Sequence, residues 1–216
     1  MSLEAVPRNH VEREQLVRAL EAWIASQPPE LALQINESVF AAAKNAYLDL
    51  SGQYQAAKGA ERAASDAADA ADRRFDPAFR NWSNSVRDER GVARSSELSA
   101  ILGMSPGELV QRTYAVEVLH TQKLLTQLES RADLRGDPSA LAELTAATAA
   151  LAISVADDEK ATLARLAIGR EYSIATKDFD RSYRKLRRAL SPILGKDALD
   201  AAFPLFVRAE RKIENE

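Results

Sequence analysis

VFAAAKNAYLDLSGQYQAAKGAERAASDAADAADRRFDPAFRNWSNSV, residues 39–86, carries one unbroken apolar stripe: Val39, Ala43, Tyr47, Leu50, Tyr54, Ala57, Ala60, Ala64, Ala68, Ala71, Phe75, Phe79, Trp82 and Val86. Every step is three or four residues, the spacing that holds side chains on one face of an α-helix. Pro29 suits a first helical turn, where its missing N–H has no intrahelical partner to lose. A helix read from Pro29 to Phe75 spans about 70 Å at 1.5 Å per residue, with Gly52 and Gly59 tolerated at about 1 kcal/mol each. Asp76 before Pro77 predicts a kink or short break there.

Working outward, Asn9 and Glu12 have the spacing of a capping box, and Leu16, Ala19, Leu20, Trp23 and Ile24 follow at helical intervals. A first helix from Asn9 to Gln27, ended by Pro28 and Pro29, is the expectation. Ser95 to Met104 reads as a short helix that Gly103 ends in the left-handed conformation. Ser105, Pro106 and Glu108 then combine an N-cap hydroxyl, a first-turn proline and a third-position glutamate, opening a helix expected to reach Arg131. Asp137 and Pro138 open the last long helix, followed through Leu141, Leu144, Leu151, Val155, Leu163, Ile168, Tyr172, Phe179, Tyr183, Leu186 and Leu190 to Leu194, with a possible break at Asp157, Asp158 and Glu159. Leu199, Ala202, Phe203 and Phe206 suffice for one short docking helix at the end.

Composition agrees with this reading. Of 216 residues 40 are Ala and 13 are aromatic, a balance that disfavours sheets, which draw on β-branched and aromatic residues. The length suits one generous domain or two small ones. The fold expected is an elongated, up-and-down four-helix bundle, all-α, with two long and two shorter helices plus short accessory helices. It is read as a single domain over 1–216 with possible internal halves 9–94 and 105–194. No run approaches 18 consecutive apolar residues, so no membrane span is expected. The absence of cysteine, together with an N-terminus lacking an apolar signal core, predicts a cytoplasmic protein.

The chain also hints at repetition. Phe75, Asp76, Phe79, Arg80, Trp82 and Val86 match Phe179, Asp180, Tyr183, Arg184, Leu186 and Leu190 at a constant offset of 104. A duplicated helical hairpin would explain the match, and so would two amphipathic helices that share aromatic anchors and i, i+4 Asp–Arg pairs. The net charge of −3 conceals two basic segments: residues 73–94 carry +3 and residues 177–188 carry +4. If the two long helices lie parallel, both segments fall at one end beside an aromatic cluster of Phe75, Phe79, Trp82, Phe179 and Tyr183. Arg80, Arg87, Arg90, Arg181, Arg184 and Arg188 are then candidates for contacting an anionic partner. The alternative for these arginines is an ordinary solvated helix face.

Residues 97–110, ELSAILGMSPGELV, resemble the helix-turn-helix of bacterial DNA-binding regulators, with Ser99, Gly103 and Leu109 as the small residue, turn glycine and apolar residue of the motif. The resemblance implies that Ser105, Glu108, Gln111 and Arg112 face the major groove and that Arg87, Arg90 and Arg94 reach phosphates. A helical corner inside a bundle needs the same Gly, Ser and Leu. Glu117 and His120 form one Glu-x-x-His pair of the kind that supplies metal ligands in ferritin-like bundles. The second pair is missing, the only other histidine is His10 with Glu14, and neither long helix is read as offering an inward carboxylate. No metal site or cofactor is therefore expected. Asp66, Asp69 and Asp72 read as a solubilising run, and no phosphate loop, nucleophile elbow or Ser/His/Asp arrangement is present.

The function expected on these grounds is a non-enzymatic interaction or scaffold protein, which contacts a protein partner or a second copy through its long helices or its basic end. A DNA-binding regulator using residues 95–113 is the alternative, and nucleic acid is the less favoured partner. A bundle that binds a small ligand beside its aromatic cluster is the third.

Overall fold

A computed structural model describes residues 9–88 and 90–202, except for the side chains of 196, 201 and 202. The described residues are helical and contain no strand, their sole β feature being an isolated bridge between Arg87 and Ala93. The helices are α1 (His10–Ala25), α2 (Pro29–Asn36), α3 (Val39–Ser85), α4 (Ser95–Leu102), α5 (Pro106–Leu109), α6 (Tyr114–Leu128), α7 (Pro138–Leu194) and α8 (Lys196–Ala202), with a 3-10 turn at Ala132–Leu134. The chain divides into two compact units, one formed by residues 1–55 and 167–216, the other by residues 56–166. The long helices α3 and α7 run through both.

Several local expectations hold. Asn9 caps α1 by accepting from the Glu12 N–H at 2.9 Å, and Gly103 ends α4 at φ 73°. Ser105 and Glu108 form the reciprocal capping box. Four boundaries differ. The long helix expected from Pro29 is interrupted at Glu37 and Ser38, where the Ser38 hydroxyl donates to the Ile35 carbonyl and ends α2. Pro77 makes no break, because Phe75, Ala78, Phe79 and Trp82 around it are all fully buried. Burial worth about 1.5–3 kcal/mol for each large side chain outweighs a proline penalty of about 3 kcal/mol. The helix expected over Ser105–Arg131 is two, parted at 110–113, whereas α7 passes Asp157–Glu159 without interruption. The expected C-terminal helix is α8, whose Leu199 is buried; Phe203 and Phe206 lie outside the described residues.

In the first unit α1, α2, α8 and parts of α3 and α7 share a core of Leu16, Leu20, Ile35, Phe40, Tyr47, Phe179, Tyr183, Leu190 and neighbours. Aromatic rings step through it, with Phe40 5.7 Å from Phe179, Tyr47 5.0 Å from Phe179 and Tyr54 5.1 Å from Tyr172. Rising numbers on α3 meet falling numbers on α7, so the two helices are antiparallel here. A buried ion pair ties α1 to α7: Arg13 Nε and Nη2 donate to the two Asp180 oxygens at 2.9 and 2.7 Å. The pair Arg187–Asp200 closes α8 onto α7.

The second unit is built on Phe75, Phe79, Trp82, Val86, Leu98, Leu102, Leu109, Leu124, Leu128, Leu134, Leu144 and Leu151. Glu61 receives Arg165 Nε at 2.6 Å, and Trp82 Nε1 donates to the Arg135 carbonyl at 2.9 Å, so α3 and α7 are antiparallel in this unit too. The parallel arrangement that would bring both basic segments and all five aromatic residues together therefore does not form. Phe75, Phe79 and Trp82 fill one core while Phe179 and Tyr183 fill the other, and all five are at most 1% exposed. The single aromatic ligand pocket expected between them is replaced by two packed ring clusters.

The turn into α7 is clamped. Gly136 adopts φ 64°, and a Cβ there would collide with Ser85 Oγ and crowd Val86. Ser85 Oγ is itself held by the Asp137 N–H at 2.9 Å. Gly136→Ala combines a strained left-handed backbone with this collision and is expected to lower stability by about 1–3 kcal/mol. Thermal unfolding read through Trp82, which sits in this core, measures it; a change within about 0.5 kcal/mol would contradict the clamp.

Candidate functional site

The arginines proposed to meet an anionic partner divide between the units: Arg80, Arg87 and Arg90 in one, Arg181, Arg184 and Arg188 in the other. All six are exposed. Arg80 Nη2 lies 3.4 Å from Asp76 Oδ2, Arg181 Nη1 3.5 Å from Asp178 Oδ1, and Arg184 Nε donates to the Asp180 carbonyl at 3.2 Å. Arg87 Nη1 donates to the Gly91 carbonyl at 2.9 Å, closing the loop in which the Arg90 N–H meets Asp88 Oδ1. The structure thus supplies two separate solvated sets, each with local partners.

The 95–113 segment keeps Ser105, Glu108, Gln111 and Arg112 exposed, as a DNA reader would require. A recognition helix does not form: α5 is a single turn of four residues, and Gln111 and Arg112 fall beyond it. Glu108 is engaged at home, accepting from the Ser105 N–H at 2.8 Å and its hydroxyl at 2.9 Å, which holds its carboxyl below the usual carboxylate range. Arg94, expected at phosphates, sits in an ion-pair network with Glu97, Asp133 and Arg131 at 2.6–3.0 Å. Leu98, Leu102 and Leu109 meanwhile face the core. The segment therefore acts as a packed connector that carries the chain back along α3, so that α6 can start at the level of Asp69.

A stretch of the long helices within the second unit has no buried residue. Ala68 of α3 and Leu151 of α7 are buried, but no residue of 56–67 or of 152–166 is. Along this stretch the Glu61–Arg165 pair and the Thr162–Glu61 hydrogen bond join α3 to α7, and Ala57, Ala64, Val155 and Thr162 are half-buried. Ile153, Leu163 and Leu166 are 65%, 61% and 44% exposed, and Ala142, Ala146, Ala149, Ala150 and Ala156 are exposed as well. By length and composition alone, one helix among the described residues, Pro138–Leu194, is apolar enough to cross a membrane. Core helices of water-soluble proteins share this length and composition.

A further group was missed by the sequence reading. On α3, Asp72 and Asp76 are half-buried, one turn apart, and Glu117 of α6 is 1% exposed; one oxygen from each lies within 4.8 Å of the others. Burial, reinforced by Asp72 and Asp76, pushes the Glu117 carboxyl up to about 8. Burial and Asp72 likewise raise Asp76. The expectation that no long helix turns a carboxylate inward is overturned, because Asp72 and Asp76 flank the stripe positions Ala71 and Phe75 closely enough for α6 to cover them. Asp66 remains exposed, and Asp69 accepts from Tyr114 Oη at 2.7 Å. His120 takes no part, its Nδ1 lying 2.7 Å from the Leu102 carbonyl. The signal available in the sequence was the i, i+4 pair Asp72 and Asp76 inside the stripe, which the run of aspartates before it masked.

No family model matches the chain, and no curated protein or solved structure matches it.

Proposed function

We propose that this chain is a non-enzymatic interaction protein, a helical bundle with α1, α3, α6 and α7 as its principal helices, that binds a helical protein or a second copy of itself. The single observation that carries the reading is that, among the described residues, no side chain of α3 over 56–67 or of α7 over 152–166 is buried, although apolar Ile153, Leu163 and Leu166 lie there. Amphipathic helices owe most of their stability to burying an apolar face against other elements. Ile153, Leu163 and Leu166 are the anchors such a surface would offer, with the surrounding alanines allowing close helix approach. Lack of cysteine fits work in a reducing compartment such as the cytoplasm. A DNA-binding role draws support from the exposure of Ser105, Glu108, Gln111 and Arg112, and is weakened by the one-turn length of α5.

Sedimentation and light scattering across a hundredfold concentration range, together with cross-linking pull-down from the source cells, test the proposal. The wild type is expected to self-associate or retain a partner, and Leu163→Glu with Ile153→Glu to abolish that while leaving helical content intact. A wild type that stays monomeric and retains nothing, or a double variant that associates as before, refutes it.

A further inference from the structure

Helices α3 and α6 lie side by side and run in the same direction. Tyr114 bonds Asp69, and Glu117 sits with Asp72; both pairs are 45 apart in number. The same step sets Thr121 level with Asp76 and Leu124 level with Phe79, two core residues that are fully buried. Three carboxylates gather at the middle of this seam, one oxygen each of Asp72, Asp76 and Glu117 within 4.8 Å of one another, and Thr121 lies one turn beyond Glu117 on α6. Asp72 Oδ1, Asp76 Oδ1, Glu117 Oε2 and Thr121 Oγ1 are buried without a hydrogen-bond partner among the described residues, apart from the bond with Asp72 that helps to raise the Glu117 carboxyl. Buried polar atoms are almost always paired, so this group requires an explanation.

Thr121 is an observation independent of the carboxylates. Thr126, Thr145, Thr148 and Thr176 each turn the hydroxyl back to the carbonyl four residues earlier, at 2.7–3.0 Å. Thr121, 0% exposed, does not, and by the same step of 45 residues it falls opposite Asp76. The matched Phe-Asp-x-x-aromatic-Arg pattern supplies a second contrast. In the first unit Asp180 is met by the buried guanidinium of Arg13 at 2.9 and 2.7 Å. In the second, Asp76 lies with two more carboxylates, and the cation that meets it among the described residues is the exposed Arg80, at 3.4 Å and on the other oxygen.

We propose that Asp72, Asp76, Glu117 and Thr121 Oγ1 bind one hard divalent cation of the Mg²⁺, Mn²⁺ or Ca²⁺ class, which clamps α6 to α3. The donor set is all oxygen, with neither thiolate nor free imidazole, which favours these ions over zinc or copper. Carboxylates this close repel one another when ionised, and a divalent ion at their centre reverses the sign of that interaction. Four protein oxygens fall short of six-coordination, so water completes the shell. An ion bound only by the folded chain stabilises it in proportion to the logarithm of its concentration.

The full-length protein, stripped with EDTA and dialysed, is titrated separately with MnCl₂, CaCl₂ and MgCl₂ by calorimetry, with Mn²⁺ also followed by electron paramagnetic resonance. At least one ion is expected to bind at one per chain and to raise the melting temperature. Asp76→Asn and Thr121→Val are expected to weaken binding at least tenfold and at least threefold, while Asp66→Asn, on the exposed side of α3, leaves it unchanged. Circular dichroism confirms that each variant is folded, and Asp72→Asn replaces Asp76→Asn if the latter is not. Failure of all three ions to bind at millimolar concentration overturns the proposal. So does binding that Asp76→Asn and Asp72→Asn leave intact, which would mean exposed carboxylates only. The readout is independent of self-association, so it stands or falls apart from the proposed function.

Discussion

Arg13→Ala is expected to destabilise the first unit by about 3–5 kcal/mol, the usual cost of stranding one member of a buried ion pair. Asp180 would keep its place on α7 between Phe179 and Tyr183, and would lose both guanidinium bonds at 2.9 and 2.7 Å. The chain has one tryptophan in each unit, and Trp23 packs against the core that contains this pair. Urea unfolding followed by Trp23 fluorescence in a Trp82→Phe background therefore reads the affected unit selectively. Replacing both partners, as in Arg13→Met with Asp180→Leu, is expected to recover most of the loss, because no charge is then left buried without a partner. A single-variant loss below about 1 kcal/mol would show that water reaches Asp180.

Glu117→Gln is expected to make the EDTA-treated protein more stable at pH 8 and to change little at pH 4.5. The wild-type carboxyl is raised to about 8 in the folded chain, chiefly by burial and then by Asp72 and Asp76, against an ordinary value of 4.5. The folded state therefore favours the neutral acid. Its contribution is fully present below pH 4.5 and is lost as pH rises from there through about 8. Asp76, also raised, acts in the same direction, with Arg80 opposing it from the edge of the site. The expected loss across the window is on the order of a few kcal/mol, since every tenfold change in proton affinity between the folded and unfolded chain is worth about 1.4 kcal/mol. Melting temperatures of wild type and Glu117→Gln between pH 4.5 and 9 measure it. Parallel curves would mean that the three carboxylates do not share a buried site. With a saturating divalent ion the wild type is expected to regain stability at pH 8, and the glutamine variant to gain less.

Much of the fold was legible in the chain. The stripe from Val39 to Val86, the capping box at Ser105, the left-handed Gly103 and the proline at 138 each express a local rule: helical period, N-cap chemistry, freedom at positive φ, or a missing N–H in the first turn. Pro77 shows where a local rule loses to packing. The residues around it are core, and their burial carries the helix without interruption through a position where the proline predicts a kink or break. Ser38 shows the converse, since a hydroxyl that finds the Ile35 carbonyl ends α2 where the apolar pattern would have continued it.

The site was less legible. Exposed Ile153, Leu163 and Leu166 look in sequence like any other members of an apolar helix pattern, and nothing local says that they will stay exposed. Asp72 and Asp76 look like the end of a solubilising run, and Glu117 looks like half of an incomplete metal motif. Their meeting depends on α6 running parallel to α3 at an offset of 45 residues. That offset is set by how far α4 and α5 carry the chain back before Tyr114.

By itself, then, the sequence determined that the protein is helical, where most helices begin, and which side chains are apolar enough to be core. Those properties follow from interactions within a few residues of one another. Only the tertiary structure decided that α3 and α7 are antiparallel, which separates the two basic segments and gives each aromatic set its own core. It alone decided that Asp180 would meet an arginine while Asp76 would meet two carboxylates. Direction and register between helices arise from long-range packing and from the length and turns of the connections, and no periodicity within a single helix records them.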